Sequence, residues 1–153
     1  MIDGEPCYSC DRNRELDRLA PRERVFVDVD WRVAHAFNSA LPGWLVLLPR
    51  RHVTSLVDLT NAETAKIGPL LGALSRALGE VTGCVKSYVM LFAEAEGFAH
   101  LHFHVVPRML DQPIHLRGPA VFGYLDQPPE RRVPAPEMDR VAVEIGRRLP
   151  AVI

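Results

Sequence analysis

The segment His100-Leu101-His102-Phe103-His104-Val105-Val106 alternates imidazole with apolar side chains at every position up to its end. Strict alternation is the period of a β-strand. One face of this segment therefore carries three histidines, and the other carries Leu101, Phe103 and Val105. Same-face neighbours on a strand sit roughly 6.5–7 Å apart, so such a row can address one metal ion, one phosphate group, or both. Histidine has an ordinary pKa near neutrality, which suits nucleophilic or acid–base work. The plain alternative is a strand with a wet polar face; the apolar back of this one predicts that it lies against a core.

The chain has 153 residues, enough for one domain with a sizeable core, and it is read as a single domain over 1–153. Lys and Arg total 18 against 19 Asp and Glu, so no basic footprint for nucleic acid stands out. No apolar run approaches the ~20 residues of a membrane span. The opening Met1-Ile2-Asp3-Gly4-Glu5 lacks the basic-then-apolar pattern of a secretory signal, so a cytoplasmic location is expected. In a reducing compartment the pair Cys7-Tyr8-Ser9-Cys10 reads as metal-binding, redox-active or without a role, rather than as a structural disulfide. Cys84 reads as a small buried residue at a helix end.

Along the chain, Asp11 to Leu19 reads as a short polar helix stopped at Pro21. Arg24–Val29 and Trp31–Phe37 read as a hairpin about an Asp-rich turn, and Trp44–Leu48 as a central strand after Pro42-Gly43. Thr60-Asn61-Ala62-Glu63 is a capping box, followed by Ile67, Leu70, Leu71, Leu74, Leu78 and Val81 at helical spacing and by Gly83 as a C-cap. Pro69 predicts a kink or break near Gly68. Lys86–Ala93 returns to strand, and Glu94–Ala99 is a turn before the histidine strand. Seven of the 13 prolines fall in 107–136, read as a long irregular loop pinned to the domain or to a partner subunit, and 137–149 as an amphipathic C-terminal helix. The order predicts an α+β fold: a mostly antiparallel sheet of about five strands with a long helix and a C-terminal helix.

A structural zinc site takes four soft or borderline ligands in a tetrahedron. Cys7 and Cys10 offer two thiolates; His52, just after a strand, and His100, at the start of the histidine strand, would complete a Cys2His2 set if the two strands are adjacent. Taken alone, His52 reads as a surface histidine after a basic turn rather than as a ligand. His35 and His115 have no partner pattern and are given no role.

These residues resemble the histidine triad (HIT) superfamily, whose signature is His-φ-His-φ-His-φ-φ. Gly43–His52 is similar to that family's strand running into a Pro-basic-basic-His turn, and Cys7-x-x-Cys10 to the N-terminal pair of its zinc-containing branch. The resemblance covers about Cys7 to Arg108. It implies an enzyme that cleaves nucleotidyl phosphate bonds, such as those of dinucleoside polyphosphates or nucleoside phosphoramidates, through a covalent nucleotidyl-histidine. His102 would be the nucleophile and His104 a phosphate-binding partner. Cys7, Cys10, His52 and His100 would hold a structural Zn2+ with no open position, and the protein would be a homodimer.

Three places depart from the family pattern. Trp44 stands where many members carry a fourth histidine. Ala36 stands where a ribose-binding acid is expected, and Phe92–Phe98 replaces the Asn and Gly-Gln-Ser/Thr that grip phosphate. Glu94 and Glu96 would repel a phosphate if they pointed at it, and Arg108 and Arg117 are candidate replacement cations. The readings alternative to a hydrolase are nucleotidyl transfer to a sugar phosphate, a zinc-stabilised nucleotide- or phosphate-binding module without turnover, and a thiol redox protein.

Overall fold

A computed structural model describes residues 6–151 and 153. Five strands, β1 (Phe26–Val27), β2 (Trp31–His35), β3 (Leu45–Pro49), β4 (Lys86–Leu91) and β5 (Phe103–Arg108), form one antiparallel sheet in the order β1-β2-β3-β5-β4. Helices α1 (Tyr8–Arg14), α2 (Asn61–Thr82) and α3 (Ala135–Gly146) complete the α+β arrangement expected from the sequence.

Strand parity divides the molecule into a packed side and an open side. Trp31, Val33, Leu45, Leu47, Phe103 and Val105 join Leu70, Leu74, Ala77 and Leu78 of α2 and Val141, Ala142 and Ile145 of α3 in the main core. Burying each large aliphatic there contributes roughly 1.5–3 kcal/mol. The alternate residues, among them Arg32, Ala34, Val46, Leu48 and His104, face the other way and floor an open cavity.

The capping box of α2 forms as expected: Thr60 Oγ1 accepts from the Glu63 amide, and the Thr60 amide donates to Glu63 Oε2. Gly83, at φ +71°, closes the helix in the left-handed region that glycine tolerates. Hydrogen bonds from Arg51, helped by the Thr60 amide, hold the Glu63 carboxyl down to about 2 from its ordinary 4.5. A depressed carboxyl contributes stability in full above its ordinary value and loses it as pH falls towards the folded-state value. Glu63→Gln should therefore lower stability at neutral pH and flatten its loss between pH 4.5 and about 2, as read by acid unfolding. Acid limbs of equal slope in the two proteins would contradict this.

Several expectations are corrected. The long helix runs unbroken through Pro69. Pro69 and Ala65 are both exposed, so water can take the carbonyl hydrogen bond that proline forfeits. The first helix begins at Tyr8, capped by Cys7, and gives way after Arg14 to a short 3-10 turn over Leu16–Arg18. The histidine segment joins the sheet only at Phe103. Extending the Leu45↔Val105 and Leu47↔Phe103 register would put Leu101 opposite Pro49, which has no N–H to give; the Leu101 amide instead donates to the Val53 carbonyl. Pro107 and Arg108 finish β5 rather than opening the irregular stretch. The rest of that stretch winds through 3-10 turns at Ile114–Leu116, Gly118–Tyr124 and Pro129–Arg131, and the final helix starts at Ala135 and ends at Gly146. The stretch is tied to its own domain, with Val121 fully buried and backbone bonds from Ala40 to Tyr124 and from Val133 to Ser39.

Candidate functional site

Two centres adjoin at the point where the chain enters β5. In the first, the ligand atoms of Cys7, Cys10, His52 and His100 lie within 4.8 Å of one another. Cys10 Sγ is 3.2 Å from His52 Nδ1 and 3.6 Å from His100 Nδ1, and Cys7 Sγ is 3.5 Å from His100 Nδ1. A tetrahedral dication with ordinary metal–sulfur and metal–nitrogen bonds has S···N edges of about 3.6 Å, so the four donors fit a metal of that geometry. The neighbouring contacts prepare them for it. His100 is buried, and its Nε2 lies 2.8 Å from the Pro49 carbonyl. A carbonyl only accepts, so Nε2 carries the proton and Nδ1 presents its lone pair to the thiols. Burial holds His100 down to about 4, so it is neutral at physiological pH. Burial, together with the neighbouring Cys7 thiol, pushes Cys10 up to about 11, and a bound dication reverses that preference.

The second centre is the cavity, about 500 Å³, on the open face of the sheet. His102 and His104 line it with ring centroids 4.9 Å apart. His102 Nδ1 is 2.7 Å from the His100 carbonyl, so Nδ1 is the protonated nitrogen and Nε2 keeps a free lone pair. His104 is set the opposite way: the Trp44 indole N–H donates to its Nδ1 at 3.0 Å. Burial, with His102 beside it, holds His104 down to about 4. Phe122 packs edge-on against both the His104 and Trp44 rings.

The walls are aromatic and acidic. Tyr8, Phe37 and Phe98 pack together at 5.5–6.1 Å on one side, with Phe92 and Phe122 on the other. Glu23, Glu94, Glu96 and Asp126 also line the cavity. Among the described residues Arg32 is the one cation in that lining, and it is committed: it is 1% exposed and donates to Asn13 Oδ1 and to the Glu23 carbonyl and carboxylate. Tyr8 OH donates to the other Glu23 oxygen at 2.8 Å. Helix α1 and its N-cap thus serve both centres: Cys7 and Cys10 face His52 and His100, while Tyr8 and Ser9 between them line the cavity.

The six site residues expected from the sequence fall into these two adjoining groups. Arg108 and Arg117 do not supply the replacement charge. Neither lines the cavity; Arg108 bonds the Met109 carbonyl and Arg117 the Gln112 carbonyl. His35 is buried and bridges the Ala36 carbonyl to the Gly43 amide, bracing the turn into β3. Gly43 sits there at φ +88°, where a Cβ would come within 3.0 Å of Thr82. His115 lies in an exposed turn. Arg32, Tyr8 and the donor role of Trp44 are not found by sequence motif. Strand parity alone puts Trp44 and Arg32 on the same face as Val46 and His104.

The HIT domain model matches residues 18–110, more than half of the chain. The chain belongs to the HIT domain family. Solved structures with this fold include a histidine triad protein from Bradyrhizobium japonicum, 23% identical over 95% of this chain and 100% of that one, with a TM-score of 0.69. A Zn-bound histidine triad family protein from Mycobacterium smegmatis is 20% identical over 92% and 93% of the two chains, with a TM-score of 0.65. A hypothetical histidine triad nucleotide-binding protein from Sulfolobus tokodaii is 12% identical over 93% and 91%, with a TM-score of 0.66. No curated protein matches the chain. Among the described residues no helix is long and apolar enough to cross a membrane.

Proposed function

We propose that this HIT protein hydrolyses nucleotidyl phosphate bonds through a covalent nucleotidyl-His102 intermediate, beside a structural Zn2+ held by Cys7, Cys10, His52 and His100. The observation that carries the reading is the His102 hydrogen bond to the His100 carbonyl, which leaves Nε2 as a lone pair in a ring that lines the cavity. That nitrogen attacks phosphorus, the bond to the leaving group breaks, and its electron pair departs with that group. Water then attacks the phosphorus, the P–N pair returns to Nε2, and the water proton goes to solvent. His104 donates a hydrogen bond to a phosphoryl oxygen as charge builds there.

The soft donor set supports zinc over harder cations, and four protein ligands leave no position for water. A bound metal would supply rigidity, since Cys7, Cys10, His52 and His100 would hold it and the His100 carbonyl orients His102. The aromatic walls suit a nucleobase. Asp126, held by Asn38 at 2.7 Å, is an acceptor for sugar hydroxyls in place of the acid missing at Ala36. With Arg32 committed and several carboxylates in the lining, the cavity favours one phosphoryl group at the histidines over a polyphosphate chain. A nucleoside phosphoramidate or mixed anhydride is the substrate class we favour. β4 is an edge strand, and pairing there is the route to the homodimer we propose. The free thiols suit a cytoplasmic location.

The same shortage of free cations favours a second reading, a nucleotide-binding module without turnover. Chromatographic assay of adenosine phosphoramidate and diadenosine polyphosphates, with calorimetric binding of adenosine monophosphate, separates the two. Release of the monophosphate, faster from the phosphoramidate, is the expected result. Binding without turnover selects the module, and neither binding nor turnover contradicts both.

A further inference from the structure

We infer that Trp44 is a positioning residue that fixes His104 as a neutral Nε2–H donor and ends proton transfer there, so that this site favours leaving groups needing no proton from the enzyme. The inference rests on the hydrolase reading above and specifies its leaving-group class.

An indole N–H only donates, and the nitrogen lone pair belongs to the ring. The Trp44 Nε1 to His104 Nδ1 contact of 3.0 Å is buried, and Trp44 is fully enclosed. His104 Nδ1 must therefore be the acceptor. The ring is buried, with the Trp44, Phe122 and His102 rings set edge-on to it and none of these offering a counter-charge, so it holds one proton, and that proton is on Nε2. His102 has the opposite tautomer, Nδ1–H with Nε2 free, because its partner is a carbonyl. The cavity thus receives one nucleophilic nitrogen and one N–H donor from adjacent rings 4.9 Å apart.

This arrangement limits the chemistry. If His104 gave its Nε2 proton to a leaving group, an imidazolate would remain facing an indole N–H, and indole is far too weak an acid to supply the missing proton. His104 therefore donates a hydrogen bond without giving up its proton. The P–O or P–N bond breaks with its electron pair on the leaving group, which must depart as a weak base or arrive already protonated at the bridging atom. Phosphate, carboxylate and phenolate anions qualify, as does the nitrogen of an N-protonated phosphoramidate; simple alkyl esters do not. A histidine at position 44 could both take up and give a proton, which would open a relay through His104.

Two measurements test this on the full chain with its metal. Nitrogen-15 imidazole spectra of the wild type at neutral pH should show His104 as the Nε2–H tautomer alone, and Trp44→Phe should convert it to a mixture. An Nδ1–H tautomer or a charged ring in the wild type overturns the inference whether or not the protein is an enzyme. The second is kcat/KM for aryl esters of adenosine monophosphate. It should fall by about fivefold or more per unit of phenol pKa in the wild type, and by about twofold or less in Trp44→His, with the gain in kcat and not in KM. Equal slopes overturn the relay argument. Absence of turnover on every ester contradicts the hydrolase reading, and with it the leaving-group preference, while the spectra still decide the tautomer.

Discussion

Replacing His102 by alanine is expected to leave a folded, metal-loaded protein that binds nucleotide and does not turn it over. His102 is only partly buried, and its ring makes one side-chain hydrogen bond, to the His100 carbonyl, so little of the core depends on it. The proposed metal ligands should stay where they are, because His100 is held by Pro49 and by the Cys pair rather than by His102. Losing the proposed nucleophile should remove the covalent path altogether, and kcat should fall by at least about 10³-fold with the melting temperature little changed. His102→Asn, which keeps a polar side chain in the same place, should be equally inactive. Turnover near the wild-type rate in either variant would move the chemistry to another group.

Cys7→Ala should reduce bound zinc and stability together. Cys7 is both a proposed ligand and the N-cap of α1, its Sγ accepting from the Cys10 amide at 3.4 Å. Without the metal, α1 is left with the hydrogen bonds of Tyr8 to Glu23 and of Asn13 to Arg32 and to the Pro49 and Arg50 carbonyls, with the packing of Tyr8 on Phe37 and Phe98, and with the Cys10–His52 contact. Loss of a structural metal costs on the order of 3 kcal/mol or more, which for a domain of this size lowers Tm by roughly 6–12 °C. The same helix carries Tyr8 and Ser9 into the cavity wall, so KM should rise as well. Metal analysis and thermal unfolding of the same sample check this. Full zinc with an unchanged Tm would contradict the four-ligand assignment.

The parts of the fold set by local rules were legible in the sequence. The capping box at Thr60–Glu63 and the Gly83 stop bound a helix that forms where they place it. The alternating histidines put His104 on the open face and Phe103 and Val105 in the core because parity is enforced by burial. The Cys-x-x-Cys pair and the two strand-end histidines converge because β3 and β5 are neighbours. What stayed hidden depends on contacts between distant segments. Pro69 looks like a break until its solvent-facing position is known. Arg32 reads as part of an apolar strand, and its burial makes sense only once Glu23 and Asn13 are placed beside it. Trp44 looks like the loss of a histidine; only the His104 nitrogen 3.0 Å from its indole gives it a role.

On the proposed mechanism, His102 becomes covalently nucleotidylated. Intact-protein mass spectrometry after brief mixing with adenosine phosphoramidate, quenched without acid, tests it most directly. A transient adduct of one adenylyl group is expected, placed on His102 by fragmentation and absent from His102→Ala. Product formed with no adduct at any mixing time, or an adduct on another residue, would contradict it.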